Sequence, residues 1–225
     1  MFHIEIEGQI IREVWKLLAV GFIKPIQHPQ WLSNIVPMKK KNGQIQCCVD
    51  FRNLNWVCLK DEFPLSNMDL LIDSAMENAM FSFMDGFSGY DKIHMAPKDA
   101  EKTAFRTLIR NFYYTVMPLR LKNVGATYQI LVNYMFSQQI GRNVEVYIDD
   151  ILVKSIDEVD HLDDLEETFD TLHKYKMKLN LAKCVFVVAL GKFLGFMVSQ
   201  WGIEANSDKV KAIIEIKSPR TMKEV

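Results

Sequence analysis

The chain has 225 residues, a formal net charge of −1 and 49 % hydrophobic residues. That composition suits one large domain or two small lobes with a real core, and it excludes a disordered chain. No basic surplus attracts nucleic acid globally, so any such binding must come from local patches.

The segment IIREVWKLLAVGF places Val14, Leu17, Leu18 and Phe22 at helical spacing, with Gly21 as the stop. SNIVPMKKKNGQIQCCVDF reads as two short strands around the Asn42-Gly43 turn, with three lysines at the tip. PLSNMDLLIDSAM predicts a helix with Met68, Leu71, Ile72 and Ala75 on one face. AMFSFMDGFSGY predicts a strand that runs into Asp85 and breaks at Gly86 and Gly89. KTAFRTLIRNFYYTVMP is β-rich with a turn near Arg110-Asn111, and GATYQILVNYMFSQQI is helical. EVYIDDILVKS forms two strands. DEVDHLDDLEETFDTLHKYKMKLN predicts an amphipathic helix with Leu162, Leu165, Phe169 and Leu172 on one face. CVFVVAL, KFLGFMVS and WGIEA are short strands. The tail DKVKAIIEIKSPRTMKEV reads as one helix and the start of another. This order lacks a regular β-α alternation and predicts an α+β fold, a mostly antiparallel sheet covered by helices on one face.

The four cysteines, Cys47, Cys48, Cys58 and Cys184, form no C-x-x-C pair and have no His at ligand spacing. Reduced thiols are expected, without structural zinc or a disulfide framework. The N-terminus MFHIEIEGQI is no signal peptide and no apolar run approaches a membrane span. A soluble chain in cytoplasm or nucleus, with no membrane partner, is the expectation; oligomeric state is not legible.

Asp149 and Asp150 carry the functional signal. The ordinary account of an Asp-Asp pair is a solvated turn. Here the flanking runs are apolar on both faces, and like charges on a covered sheet repel unless a cation neutralises them. Asp85 also closes an apolar strand at a Gly-rich turn. Strand neighbours alternate faces, so Asp149 and Asp150 converge only if the turn rotates one of them. If the two strand ends are neighbours, three carboxylates gather at a site for hard cations. Mg²⁺ favours a few carboxylates together with substrate phosphates. Such a site suits phosphoryl or nucleotidyl transfer, and on carboxylates alone a Mg²⁺-dependent phosphohydrolase is a rival.

The motifs CVDFRNLN, FSFMDGFSGY, EKTAF, MPLRLKNVGATYQ, YIDDILVKS and KFLGFMVS together resemble reverse transcriptases, in order and spacing, from about residue 13 to the C-terminus. They are most similar to Pol polyproteins of gypsy-class long-terminal-repeat retrotransposons, particularly those of plants. The resemblance implies a right-hand polymerase: fingers over 1–60 and 95–118, palm over 61–94 and 119–203, and the start of a thumb over 204–225. It implies RNA-directed DNA polymerisation with two Mg²⁺ ions (Mn²⁺ as an alternative), dNTPs and a primed RNA or DNA template. Asp85, Asp149 and Asp150 would be the catalytic metal ligands. Tyr90 would lie beneath the deoxyribose and exclude a 2′-OH. Lys39 and Lys40 would reach the triphosphate. Leu194, Gly195 and Phe196 match the primer grip, and Arg52 and Gln129 fall at template or structural positions.

Two residues depart from the family pattern. Gln46 stands where the family has an arginine that grips the triphosphate, and an amide cannot replace that clamp. MPLRLKN stands for MPFGLKN, so Leu119 replaces an aromatic near the nucleotide and Arg120 replaces a glycine. With the thumb cut short and no RNase H, protease or integrase following, a fragment or a degenerate remnant with weak nucleic-acid binding is the alternative expectation.

Overall fold

A computed structural model describes residues 4–39, 45–87, 89–205 and 207–216. In chain order the elements begin with α1 (Ile4–Ala19), β1 (Ile23–Pro25), β2 (Ser33–Lys39), β3 (Ile45–Val49), α2 (Arg52–Val57), α3 (Met68–Asp73) and β4 (Met80–Phe87). Next come α4 (Pro97–Ala100), β5 (Phe105–Arg106), β6 (Asn111–Tyr114), α5 (Val124–Met135), β7 (Val144–Tyr147), β8 (Asp150–Ser155) and α6 (His161–Lys174). The remainder is β9 (Lys178–Leu179), β10 (Val185–Val188), β11 (Leu190–Phe193), β12 (Phe196–Ser199), β13 (Gly202–Ala205) and α7 (Ser207–Ile214). No helix among the described residues is long and apolar enough to cross a membrane. The four cysteines are free thiols.

The chain forms two compact units. The first is Met1–Pro64 with Ser88–Tyr128, and the second is Leu65–Phe87 with Gln129–Val225. In the first unit five strands run in the order β1-β6-β5-β2-β3. All neighbours are antiparallel except β2 and β5. The stripe on α1 buries Ile10 and Val14 against Ile23, Ile35, Val49, Phe105 and Phe112. The lysine-bearing tip expected between β2 and β3, Lys40 included, lies outside the described residues, as do the side chains of Lys39 and Gln46.

The second unit is built on the antiparallel order β10-β4-β8-β7, with β9 also paired to β4, and a separate sheet β11-β12-β13. Side chains alternate along β4 and β8, so the register sorts them between the two faces. Phe81, Phe83 and Leu152 lie on the face of the carboxylates, buried with Leu71, Ile72 and Ala75 of the α3 region and Phe193 and Val198 of the second sheet. Each such large apolar side chain contributes about 1.5–3 kcal/mol on burial. Ser82 and Ser155 lie on the opposite face, under α6.

Three expectations change in detail. Met68 is half exposed, because the buried face of α3 is Leu71 and Ile72. β4 continues through Gly86 to Phe87, since β9 extends its pairing past Asp85. On α6 the buried residues are His161, Leu165, Thr168 and Leu172, while Leu162 and Phe169 face outward.

Gly191 of β11 packs directly against β4 of the neighbouring sheet. A Cβ there would fall inside the ring of Phe83, two residues before Asp85 on β4. Phe83 is itself buried against Phe193. Gly191→Ala is therefore expected to destabilise the fold by about 1–3 kcal/mol through overpacking. Thermal unfolding measures this as a fall of roughly 2–4 °C per kcal/mol. An unchanged melting temperature would mean that the ring has room to move.

Candidate active site

The central feature is a two-residue hairpin between β7 and β8. Tyr147 and Asp150 are partners, so Ile148 and Asp149 form the turn. Ile148 sits at φ +54° while Asp149 keeps a negative φ. That is the pattern of a type II′ turn, whose first central position ordinarily takes Gly. A β-branched side chain there is a genuine outlier, worth on the order of 1–3 kcal/mol of strain. The strain is held from below. Gln129 of α5 is fully buried. Its Oε1 accepts the Ile148 N–H at 2.7 Å, and its Nε2 donates to the Val146 carbonyl at 3.1 Å and to Asn133 Oδ1 at 2.9 Å. The turn thus rotates the chain as the sequence required.

Asp85 and Asp150 are direct Cα partners across β4 and β8. Their side chains leave the same face with Cβ atoms about 5 Å apart, where like charges destabilise the pair. Asp149 joins them through its backbone, its carbonyl accepting the Gly86 N–H at 2.7 Å. Lys183 answers part of the repulsion: its Nζ reaches Asp85 Oδ2 at 2.8 Å. Burial, and after it the neighbouring Asp85, push the Asp150 carboxyl above the usual range, against the pull of Lys183. The bond to Asp85 raises the Lys183 ammonium in turn. Among the described residues no three His, Cys, Asp or Glu side chains converge as a metal cage. The chemistry of the donor set nevertheless suits a hard cation, because two hard oxygen donors face each other and one already holds an ammonium.

A cavity of about 620 Å³ opens beside this pair. Asp85, Asp150 and Lys183 line one side, and Lys192, Leu194 and Gly195 the other. Leu194 and Gly195 form the turn between β11 and β12 at φ +49° and +88°, with Phe193 and Phe196 as closing partners. The structure therefore brings Asp85, Asp150, Leu194 and Gly195 to one cavity, with Asp149 next to them in the β7–β8 turn and not on the cavity wall.

The remaining expected residues lie in the first unit. Tyr90 stacks on the buried Tyr128 with ring centroids 4.5 Å apart. Gly89 makes room for that, since a Cβ there would overlap the Tyr128 ring. Leu119 and Arg120 line a cavity of about 550 Å³ with Met38 and Cys47. Burial, then Glu13 and Cys48, push the Cys47 thiol up to about 11, so it is an apolar wall and no nucleophile at neutral pH. Arg120 sits at φ +77°. Its Nη2 points to Met38 Sδ at 2.7 Å, and Met38 is the cross-strand partner of Gln46. Asn55 holds this loop, donating to the Arg120 carbonyl at 2.7 Å and accepting the Lys122 N–H at 2.8 Å. Arg52 makes a two-pronged pair with Asp50, at 2.9 and 2.7 Å, which holds the Asp50 carboxyl down to about 2.

Sequence reasoning missed Lys183, Lys192 and Asn55. LAKCVF carries no spacing that sets Lys183 apart from any surface lysine; only the pairing of β9 and β10 onto β4 brings it to Asp85.

Carboxylates opposed across neighbouring strands of an antiparallel sheet, beside a tight hairpin turn, define a polymerase-type palm. Residues 38–198 match the family described as reverse transcriptase (RNA-dependent DNA polymerase). The chain belongs to the reverse transcriptase family. It is 35 % identical over 231 residues to the retrovirus-related Pol polyprotein from transposon opus of Drosophila melanogaster, covering 100 % of this chain and 23 % of that protein. It is 30 % identical to the corresponding polyprotein from transposon gypsy of the same organism, covering 92 % of this chain and 20 % of that protein. The chain thus spans less than a quarter of the length of these relatives. Its fold is shared with a foamy viral protease-reverse transcriptase solved in complex with dsDNA, at TM-score 0.87 and 23 % identity, over 100 % of this chain and 46 % of that one. The same viral protein solved with an RNA/DNA hybrid gives a TM-score of 0.85. The family is in general divalent-metal dependent.

Proposed function

We propose that this chain is the nucleotidyl-transferring part of an RNA-directed DNA polymerase, extending a primer 3′-OH with dNTPs on an RNA or DNA template. The observation that carries the reading is the Asp85–Asp150 cross-strand pair beside the strained Ile148-Asp149 turn. Asp85, Asp149 and Asp150 would hold Mg²⁺, in two ions on the family pattern, and Mn²⁺ has the same donor preference. When bound, the metal lowers the pKa of the attacking hydroxyl and offsets charge on the leaving pyrophosphate.

The chain's own residues do the rest. Gln129 holds the turn, and with it the aspartate backbone, in one geometry. Leu194, Gly195 and Phe196 form the hairpin that would seat the primer terminus beside the carboxylates. Lys183 and Lys192 are cations on this cavity's wall, and Lys192 would meet a nucleic-acid phosphate there. Tyr90, braced by Tyr128, would set the sugar preference. Lys39, Lys40, Gln46, Leu119 and Arg120 would face the triphosphate, and the Asp50 pair supports a structural role for Arg52 beside the template contact.

A second reading, a catalytically degenerate remnant, is favoured by one observation. Arg120 occupies the left-handed region where the family pattern has glycine, at a cost of roughly 1–2 kcal/mol. Primer extension with the parent, Asp149→Asn and a Gln46→Arg/Arg120→Gly double variant separates the two. Extension by the parent that vanishes in Asp149→Asn is the expected result. Extension by the double variant alone would establish the remnant reading and place the loss in those two residues. Product that persists in Asp149→Asn would sink the polymerase assignment. Arg120→Gly alone is expected to stabilise the fold by about 1 kcal/mol, read by denaturant titration.

A further inference from the structure

His161, the first residue of α6, is fully buried beneath the palm sheet and takes no part in the chemistry above. Both ring nitrogens are engaged. Nε2 is 2.8 Å from Ser82 Oγ of β4, and Nδ1 is 2.8 Å from Ser155 Oγ of β8. The Ser155 hydroxyl donates to Asp164 Oδ2 at 2.5 Å. Ser155 therefore has no proton for the ring, and Nδ1 must carry one. On the other side the Val187 N–H donates to Ser82 Oγ at 3.0 Å, and because burial disfavours a second ring proton the Ser82 hydroxyl donates to Nε2. Every donor in the chain from Val187 through Ser82, His161 and Ser155 to Asp164 then has one acceptor, and the imidazole is neutral.

Val187 is where β10 departs from regular pairing. Its φ is +54°, and the register against β4 shifts between Val185 and Val188. Val185 and Lys183 precede this bulge and line the cavity beside Asp85. Ser82 stands three residues before Asp85 on β4 and hydrogen-bonds both the imidazole and the Val187 amide of β10.

We propose that His161 is a positioning residue for the candidate active site: as a neutral Nδ1–H imidazole it ties β4 and β8 to α6, and through Ser82 it fixes the β10 bulge that carries Val185 and Lys183 beside Asp85. The groups that face the ring are known from every element around it. Asp164 comes from its own helix, Ser82 and the Phe81 backbone from β4, and Ser155 from β8. β10 contributes the Val187 amide through Ser82. Burial lowers the His161 pKa against the opposing pull of Asp164 and the Phe81 carbonyl. A protonated ring donates from Nε2 to Ser82 Oγ, which must then accept both that N–H and the Val187 N–H and turn its own proton elsewhere, so acid weakens the hold on the bulge. The inference rests on the polymerase reading only for what the positioned carboxylates do.

The test is heteronuclear NMR on the labelled full chain, with Ser82→Ala as the variant that removes one buried hydroxyl and leaves the packing. In the parent at pH 7, His161 is expected as the neutral Nδ1–H tautomer, with the Val187 amide strongly protected from exchange. In Ser82→Ala that protection falls at least tenfold, and the side-chain carboxyl signals of Asp85 and Asp150 move. The Val187 protection factor of the parent falls in the same way as pH is lowered through the His161 titration, whereas in Ser82→Ala it is flat. An Nε2–H tautomer, or Asp85 and Asp150 signals that stay in place when Val187 loses protection, would overturn the proposal and leave His161 a purely local core residue. No readout needs polymerisation, so silence in primer extension and failure here are separate results.

Discussion

Asp150→Asn is expected to abolish primer extension and at the same time to raise the melting temperature of the metal-free chain. The two effects share one cause. Asp150 and Asp85 face each other across β4 and β8, and Lys183 compensates only part of their charge. Removing one charge relieves a directly opposed like pair, a gain of about 0.5 kcal/mol, or ~1–2 °C for a chain of this size. On the proposed reading, removing an oxygen that would bind the metal costs about 4 kcal/mol of transition-state stabilisation, a loss of roughly a thousandfold in rate.

The pH dependence follows from the direction of the Asp150 shift. Its folded-state pKa is raised by burial and by Asp85. The neutral carboxyl is thus favoured in the fold, and its contribution is fully present below the unfolded pKa. That contribution is lost as pH rises through the raised folded value. At pH 7 the parent carries the whole penalty, and the stability gap between parent and Asp150→Asn is largest there. The gap closes as the pH falls below the carboxylate range. Thermal melts of both proteins at pH 4 and pH 7, without divalent ions, measure it. A gap that widens on acidification would mean that Asp150 is stabilised as the anion, and the electrostatic account of the site would be wrong.

Much of the fold was legible in the sequence because its signals are local. The stripe of α1, the β2–β3 hairpin and the strands about Asp149-Asp150 follow from periodicity and turn chemistry. Asp85 was legible as a carboxylate on an apolar strand, and the register makes it the partner of Asp150, although the strand runs on to Phe87. What failed was reading polarity as exposure. On α6 the spacing placed Leu162 and Phe169 inward, yet His161 and Thr168 are the buried pair. Their polar atoms find partners on Ser82, Ser155 and Gln139, which lie 6 to 79 residues away. No window of one helix contains those partners. Lys183 was missed for the same reason: its ion pair with Asp85 spans 98 residues. Conversely, the Leu194-Gly195 turn hid inside KFLGFMVS, since a leucine at positive φ breaks the rule by which turns are recognised.

Gln129→Leu should produce the largest loss that involves no reacting group. The substitution keeps the volume and removes both polar functions. It strands the Ile148 N–H and the Val146 carbonyl, the two backbone groups Gln129 serves from a fully buried position. Each buried group left unsatisfied costs about 1–3 kcal/mol, so a total of roughly 2–5 kcal/mol is expected in denaturant unfolding. The site should suffer more than this figure suggests. Ile148 is held at φ +54°, and the bond from its N–H to Gln129 is what opposes relaxation of the turn. A relaxed turn moves Asp149 and Asp150, and a displacement of about 1 Å at reacting groups lowers rate by roughly 100-fold. Gln129→Glu separates the two contributions. It keeps an acceptor for the Ile148 N–H and loses the donors to Val146 and Asn133, so it should recover much of the extension rate while remaining less stable than the parent. Equal rates in the two variants would mean that the turn holds its shape without Gln129, and that the strain at Ile148 is balanced by the strands alone.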